Sequence, residues 1–231
     1  MDVDEATVEE WGGELRVLRA RLSRYFGRQE VRDRAIQYLK GLLSDVPRKN
    51  GWQLAEQAGE ATPDGMQRLL STPVWDAEAV RDELGEYVLE NLGEADGLLV
   101  VDETGFPKQG QHSAGVKRQS SGTLGKVANC QVGVFLTYAS SRGHALLDRA
   151  LYIPRDWTDN RPRRQAAGIP DAVTFATKPE LARQMMERAM QQGVPFAWVS
   201  GDTVYGGDSV FRQWLEDRQV SFVLGVAKDD R

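Results

Sequence analysis

The spacing of apolar residues divides the chain into a helical first part and a second part in which strands and helices alternate. Up to about residue 95, apolar side chains recur every three or four positions, as in Leu15, Leu18, Leu22 and Phe26. This spacing is typical of amphipathic helices. After Gly93 short apolar runs replace it. We therefore predict a helical domain over residues 1–95 and a second domain over residues 96–231.

The helical domain contains one segment whose interpretation stays open. A short predicted helix from Trp52 to Ala58 is followed by Thr62-Pro63, a cap with proline at the first helical position. This spacing suits a helix-turn-helix, which would make residues 1–95 a DNA-binding domain. A plain helical bundle explains the same pattern equally well.

The second domain is predicted to contain five strands, two of which follow a helix. The first three strands are consecutive and can pair as an antiparallel meander, whereas the last two need helical crossovers and should be parallel. The predicted class is α+β or α/β: a helical domain and then an incomplete ribonuclease-H-like mixed sheet, with strands one and four as neighbours. The predicted strands are 97–102, 129–138, 145–153, 194–200 and 220–226.

Two of these strands are predicted to end in an aspartate. The run from Gly97 to Val101 leads into Asp102, and the run from Val194 to Val199 leads through Ser200-Gly into Asp202. A buried carboxylate without a partner is costly, so such residues often face a metal, a base or a substrate. Neighbouring strands would bring the two carboxylates together as ligands of a divalent cation. Aspartates that only cap turns are the alternative.

Composition limits the metal and the compartment. The 231 residues include two histidines and one cysteine, which argues against a structural zinc site and excludes an intramolecular disulfide. Carboxylate oxygens would favour Mg²⁺ or Mn²⁺. There is no apolar run near the ~18 residues of a membrane span, and the N-terminus is acidic rather than basic like a signal peptide. We expect a cytoplasmic protein without a membrane partner.

Charge is distributed unevenly. Residues 1–96 carry 20 acidic and 12 basic side chains, and residues 97–231 carry 14 acidic and 17 basic ones. No acid lies between Glu103 and Asp148, a stretch that contains five lysines and arginines. Such a stretch would attract a polyanion, although a solvated basic loop is the alternative.

Several long motifs resemble the DDE transposases of bacterial insertion sequences. They occur in the family's order and cover nearly all of residues 97–226, with a weaker likeness from about residue 20. The motifs are Val101-Asp-Glu-Thr-Gly-Phe-Pro-Lys108, Gly115-Val-Lys-Arg-Gln119, the segment from Gly122 to Val134, Ala150-Leu-Tyr-Ile-Pro-Arg-Asp-Trp157, Phe175-Ala-Thr-Lys-Pro-Glu-Leu181 and Gly201-Asp-Thr-Val-Tyr-Gly206.

The resemblance implies an enzyme that cleaves and transfers DNA strands with Mg²⁺. Asp102 and Asp202 correspond to the first two carboxylates of the family's catalytic triad, and are therefore the expected catalytic and metal-binding residues. Lys117, Arg118 and Lys126 are the expected contacts to the DNA backbone. The implied partners are transposon ends and target DNA, and no small-molecule substrate is expected. The protein would then be located at the bacterial nucleoid.

The third acid of this family is a glutamate on a helix downstream of the fifth strand, and no match to it occurs before Arg231. Asp229 and Asp230 are poor substitutes. We therefore expect a C-terminally truncated transposase. The alternative is a catalytically inactive derivative, a repressor or gene remnant that only binds DNA or intact transposase. Because truncation would leave apolar surface open, we also expect self-association.

Overall fold

The computed structural model describes residues 4–71, 75–122 and 125–227. The chain divides into two compact units, Met1–Leu84 and Gly85–Arg231. The division falls within one helix, and the boundary predicted near residue 95 lies just after the end of that helix. Asp229 and Asp230 lie outside the described residues. Along the described ranges, no helix is both long and apolar enough to cross a membrane.

The first unit is helical. Polar residues begin two of its helices: Asp4 accepts a hydrogen bond from the Thr7 amide, and Asn50 accepts one from the Gln53 amide. Two small apolar clusters hold the helices together, one around Leu22 and one around Leu54. Its helices are α1 (Glu5–Ser23), α2 (Gln29–Leu43), α3 (Gly51–Gln57), α4 (Asp64–Ser71) and the first half of α5 (Ala77–Leu92).

A buried carboxylate ties α5 to the end of α1. Glu83 is only 3% exposed and accepts hydrogen bonds from Arg21, Arg24 and the Tyr25 hydroxyl. Burial opposes its charge, but these three donors hold the pKa of Glu83 below its usual value. Removing the donors would leave an uncompensated buried charge, so this contact stabilises the packing of α1 against α5.

The second unit contains a mixed sheet. Strand β3 has β1 along one edge and both β2 and β4 along the other, and the sheet continues from β1 to β5 and β6. The pairs that include β3 are antiparallel, whereas β1–β5 and β5–β6 are parallel. The predicted mixed α and β architecture is confirmed. The strands are β1 (Leu98–Pro107), β2 (Lys117–Ser121), β3 (Lys126–Ser140), β4 (Gly143–Tyr152), β5 (Trp198–Gly201) and β6 (Ser221–Leu224).

Two strand predictions need correction, and one strand was missed. Strand β1 does not end at Asp102, because its antiparallel pairing with β3 continues as far as Pro107. Strand β5 begins at Trp198 rather than at residue 194, and Pro195, which lacks an N–H, lies in the segment before it. Strand β2 was not predicted, since its polar sequence shows no apolar alternation.

Five helices follow β4 in the described part of this unit. The longest, α8, begins with a capping box in which Thr177 and Glu180 satisfy each other's backbone amides. It buries Met185 and Met186 against the sheet. The helices are α6 (Arg155–Thr158), α7 (Arg161–Ala166), α8 (Lys178–Gln191), α9 (Thr203–Gly206) and α10 (Ser209–Asp217).

The main core lies on one face of the sheet. Apolar residues of α8, α10 and the second half of α5 pack there against alternate residues of β1, β3 and β5. On the opposite face, Leu146, Trp198 and Val223 are 64%, 48% and 66% exposed. Strand alternation and the register put these three side chains on the same face as Asp102. We call this apolar surface of Leu146, Trp198 and Val223 the open face.

Candidate active site

The parallel pairing of β1 with β5 brings the two predicted aspartates together. Its last pair is Val101↔Gly201, so Asp102 and Asp202 are each the next residue. Neighbouring strands lie about 4.8 Å apart. Both side chains are exposed. The two carboxylates are therefore at the same end of adjacent strands, although β1 itself continues past Asp102.

Asp202 begins the turn that follows β5. One of its carboxylate oxygens accepts a hydrogen bond from the Val204 amide at 2.9 Å, which caps the short helix α9. The turn is compact, because a Cβ on Gly206 would lie 1.7 Å from the Gly225 carbonyl oxygen. Only glycine fits there without displacement of the backbone, which explains why the Gly201–Gly206 motif ends in a glycine.

Each aspartate keeps one oxygen available. Oδ1 of Asp102 accepts a hydrogen bond from the Glu103 amide at 2.7 Å, as Oδ1 of Asp202 does from Val204. Within the ranges that the structure describes, no lysine or arginine pairs with either carboxylate. The second oxygen of each side chain thus remains free to bind a cation, so the capping alternative and the ligand interpretation are compatible.

The donor set fits Mg²⁺ in part. Magnesium prefers hard oxygen ligands, usually keeps several waters, and is commonly bound by one or two carboxylates. Asp102 and Asp202 supply two such groups. Among the described residues there is no cluster of three or more histidines, cysteines, aspartates or glutamates that could hold a metal. A further acidic ligand would have to come from outside these residues.

Glu103 faces away from Asp102 and is held between two donors. The Lys178 ammonium donates to its Oε1 at 2.6 Å, and the Tyr205 hydroxyl donates to its Oε2 at 2.9 Å. Burial raises the pKa of Tyr205, and the nearby Glu103, Asp202 and Asp102 raise it further. The phenol therefore stays protonated and remains a hydrogen-bond donor.

Sequence reasoning missed Lys178 and Tyr205 as site residues. Both lie inside motifs that carry the family resemblance, the Phe175–Leu181 and Gly201–Gly206 segments. Their partner Glu103 is 75 and 102 residues away along the chain. Only the motifs could have indicated them, because no local spacing relates residues so far apart.

The three predicted DNA contacts lie on the β2–β3 hairpin. Lys117 and Arg118 are in β2, and Lys126 begins β3. The Lys117 ammonium is 2.9 Å from an Asp156 carboxylate oxygen, so part of its charge is already neutralised. Arg118 and Lys126 are exposed and have no ion-pair partner among the described residues.

The structure does not place this hairpin beside the aspartates. Arg118 pairs with Asn129, whereas Asp102 pairs with Phe135, six residues further along β3. At about 3.3 Å per residue this separates the two positions by about 20 Å. The basic residues can therefore contact a DNA molecule at the site only at some distance from the carboxylates.

Comparison with known proteins identifies the family. The model of the DDE superfamily endonuclease family matches residues 21–231. The chain belongs to this family, and the predicted relationship to bacterial insertion-sequence DDE transposases is confirmed.

A curated relative supports this assignment. The chain is 30% identical over 196 residues to the probable transposase for insertion sequence element IS701 of Microchaete diplosiphon. The match covers 83% of this chain and 48% of that protein. The chain thus spans about half the length of the curated relative.

The tight turn after Asp202 predicts that alanine substitutions at two neighbouring glycines differ in their effect on stability. We expect Gly206→Ala to lower the free energy of unfolding by about 1–3 kcal/mol, because the added methyl meets the Gly225 carbonyl. Gly207→Ala is the control, since Gly207 is exposed with φ −72°, and should change stability by about 0.5 kcal/mol or less. Urea unfolding measures both. Equal effects would contradict the described packing of the turn.

Proposed function

We propose that this chain carries the first two catalytic carboxylates, Asp102 and Asp202, of a bacterial insertion-sequence transposase that cleaves and transfers DNA strands with Mg²⁺. The main support is the position of both aspartates just beyond the last β1–β5 pair, each with one oxygen that has no hydrogen-bond partner among the residues that the structure describes. The sheet order β4-β3-β1-β5-β6 supports a ribonuclease-H-like interpretation.

In this proposal the protein positions the reacting groups. A bound Mg²⁺ would polarise the phosphodiester and would activate the hydroxyl that attacks it. Asp102 and Asp202 would hold the cation through the second carboxylate oxygen of each, while the Glu103 and Val204 amides orient the carboxylates through Oδ1. The family resemblance implies a third acidic ligand outside the described residues.

Membership of an endonuclease family supports catalysis over the alternative of an inactive derivative that only binds DNA. The relative, 48% of which is covered by the match, is named a probable transposase for an insertion sequence. For this chain, transposition and binding of transposon ends are part of the proposal. A DNA substrate would place the protein at the nucleoid.

Arg118 and Lys126 are proposed to hold the DNA backbone. Both are exposed and basic, and neither is neutralised by a carboxylate among the described residues. Contacts of this kind attract phosphates without reading sequence. Lys117 would join them only by giving up its ion pair with Asp156.

Self-association is proposed to bury the open face against a second copy of the chain. The exposed side chains Leu146, Trp198 and Val223 lie on three different strands of one sheet. Exposed apolar side chains spread across one face of a sheet favour association.

Metal binding and nicking test the central proposal. We expect Asp102→Asn and Asp202→Asn each to weaken Mn²⁺ binding, measured by calorimetry, by more than about 100-fold, because a direct ligand should exceed the 10–100-fold effect of outer-shell groups. Both variants should also lose Mn²⁺-dependent nicking of a supercoiled plasmid.

The matched control for the metal experiment is Asp208→Asn. Asp208 also caps a helix, through a 2.7 Å hydrogen bond from the Phe211 amide, but does not follow the β1–β5 pair. It should bind Mn²⁺ like the wild type. Equal Mn²⁺ binding by Asp102→Asn and the wild type would refute the proposed site.

The DNA contacts are tested by the salt dependence of binding. We expect Arg118→Ala and Lys126→Ala to weaken binding of a random-sequence duplex and each to reduce the slope of log K against log[salt] by about 0.9, the value for one lost phosphate contact. Arg142→Ala, at the turn after β3 and paired with Glu94, removes the same charge from another part of the sheet. Unchanged slopes in the first two variants, or an equal loss in the third, would exclude the hairpin as the contact.

The open face is tested by sedimentation at several protein concentrations. We expect the wild type to associate as concentration rises. The double variant Leu146→Ser/Val223→Ser should remain monomeric up to higher concentrations, because both side chains lose apolar contact area. Val210→Ser on α10 removes a valine that is 64% exposed but lies outside the open face. A wild type that stays monomeric at all concentrations would contradict the proposal.

A further inference from the structure

We propose that Glu103 is a positioning residue that, clamped by Lys178 and Tyr205, fixes the separation of Asp102 and Asp202 for the metal. The inference rests on the proposed metal site and adds three residues to it. None of the three is expected to touch the cation.

The clamp joins the two aspartates by a short covalent and hydrogen-bonded path. Glu103 directly follows Asp102, and Tyr205 lies in the helical turn that Asp202 begins. The Tyr205 hydroxyl donates to Glu103 at 2.9 Å. The amides of Tyr205 and Gly206 in turn bond to the Asp202 carbonyl at 3.2 and 2.9 Å. Movement of the backbone at Asp102 relative to the backbone at Asp202 would therefore stretch or break the Tyr205–Glu103 bond.

Both ends of the clamp are anchored by the fold. The Tyr205 side chain is fully buried in the main core. Lys178 is the first residue of α8, where the Thr177–Glu180 capping box fixes the backbone. The side chains of Lys178 and Glu103 are 20% and 12% exposed, so their ion pair is shielded from water. Three separate elements, β1, α8 and α9, thus converge on one carboxylate.

The contacts also argue against Glu103 as a metal ligand in this arrangement. Each of its two oxygens already accepts a hydrogen bond from one of the clamping groups. Its side chain also lies on the opposite strand face from Asp102. Its role is therefore to hold the backbone at Asp102, while Asp102 and Asp202, which repel each other without a cation, bind from a preorganised position.

Mn²⁺ calorimetry on the full chain tests this inference with two tyrosine variants. Tyr205→Phe removes only the hydroxyl that bonds to Glu103. Tyr138→Phe removes an equally buried hydroxyl, which bonds to the Glu94 backbone at 2.9 and 3.0 Å. We expect Tyr205→Phe to weaken Mn²⁺ binding by about 10-fold, the lower end of outer-shell effects, and Tyr138→Phe to leave it unchanged. Thermal unfolding of both variants reports their loss of stability.

Variants at the other two positions complete the test. Lys178→Met and Glu103→Gln should also weaken Mn²⁺ binding, and adding Tyr205→Phe to Glu103→Gln should cost less than the two single effects together, because all act through one contact. Equal Mn²⁺ affinity of Tyr205→Phe and Tyr138→Phe would overturn the inference. So would abolished binding in Glu103→Gln with normal binding in Tyr205→Phe and Lys178→Met, since Glu103 would then be a ligand. Failure of the wild type to bind Mn²⁺ would refute the metal site itself.

Discussion

The register between β1 and β5 is the constraint on which the candidate site depends. Four consecutive pairs, from Leu98↔Trp198 to Val101↔Gly201, align the ends of the two strands. Glycine permits the close approach, since a Cβ on Gly201 would lie 3.0 Å from Val101 Cγ1. Because side chains alternate between faces, a slip of one residue would exchange the buried and exposed sets on β5. Burial of Val199 against the core therefore also fixes where Asp202 emerges.

Alternation within β1 gives two consecutive acids different roles. Asp102 projects from the open face and stays exposed, whereas Glu103 points towards the side covered by α8 and accepts hydrogen bonds from Lys178 and Tyr205. A carboxylate on the covered side needs compensation, because desolvation disfavours its charge. The cost of desolvating a carboxylate thus explains why the largely buried Glu103 has two hydrogen-bond donors. The exposed Asp102 has no such cost and is available to a cation.

Ion pairs within the fold determine which basic residues remain able to bind a polyanion. Lys117 pairs with Asp156, and Arg142 pairs with Glu94. The acid-free stretch from residue 104 to 147 therefore does not act as one uniform basic surface, since acids distant in sequence neutralise part of it. Charge counted along a sequence measures composition, whereas binding depends on which charges remain exposed and unpaired.

The sequence was sufficient for the mixed α and β class, the apolar runs that lead to Asp102 and Asp202, and the family, because buried runs and motif residues are local properties of the chain. It did not determine that β1 continues to Pro107, that polar β2 joins the sheet, or that Lys178 and Tyr205 hold Glu103. Those features come from pairing and packing between residues far apart in the chain. The partners of these residues are distant in sequence, so no local periodicity encodes the pairing.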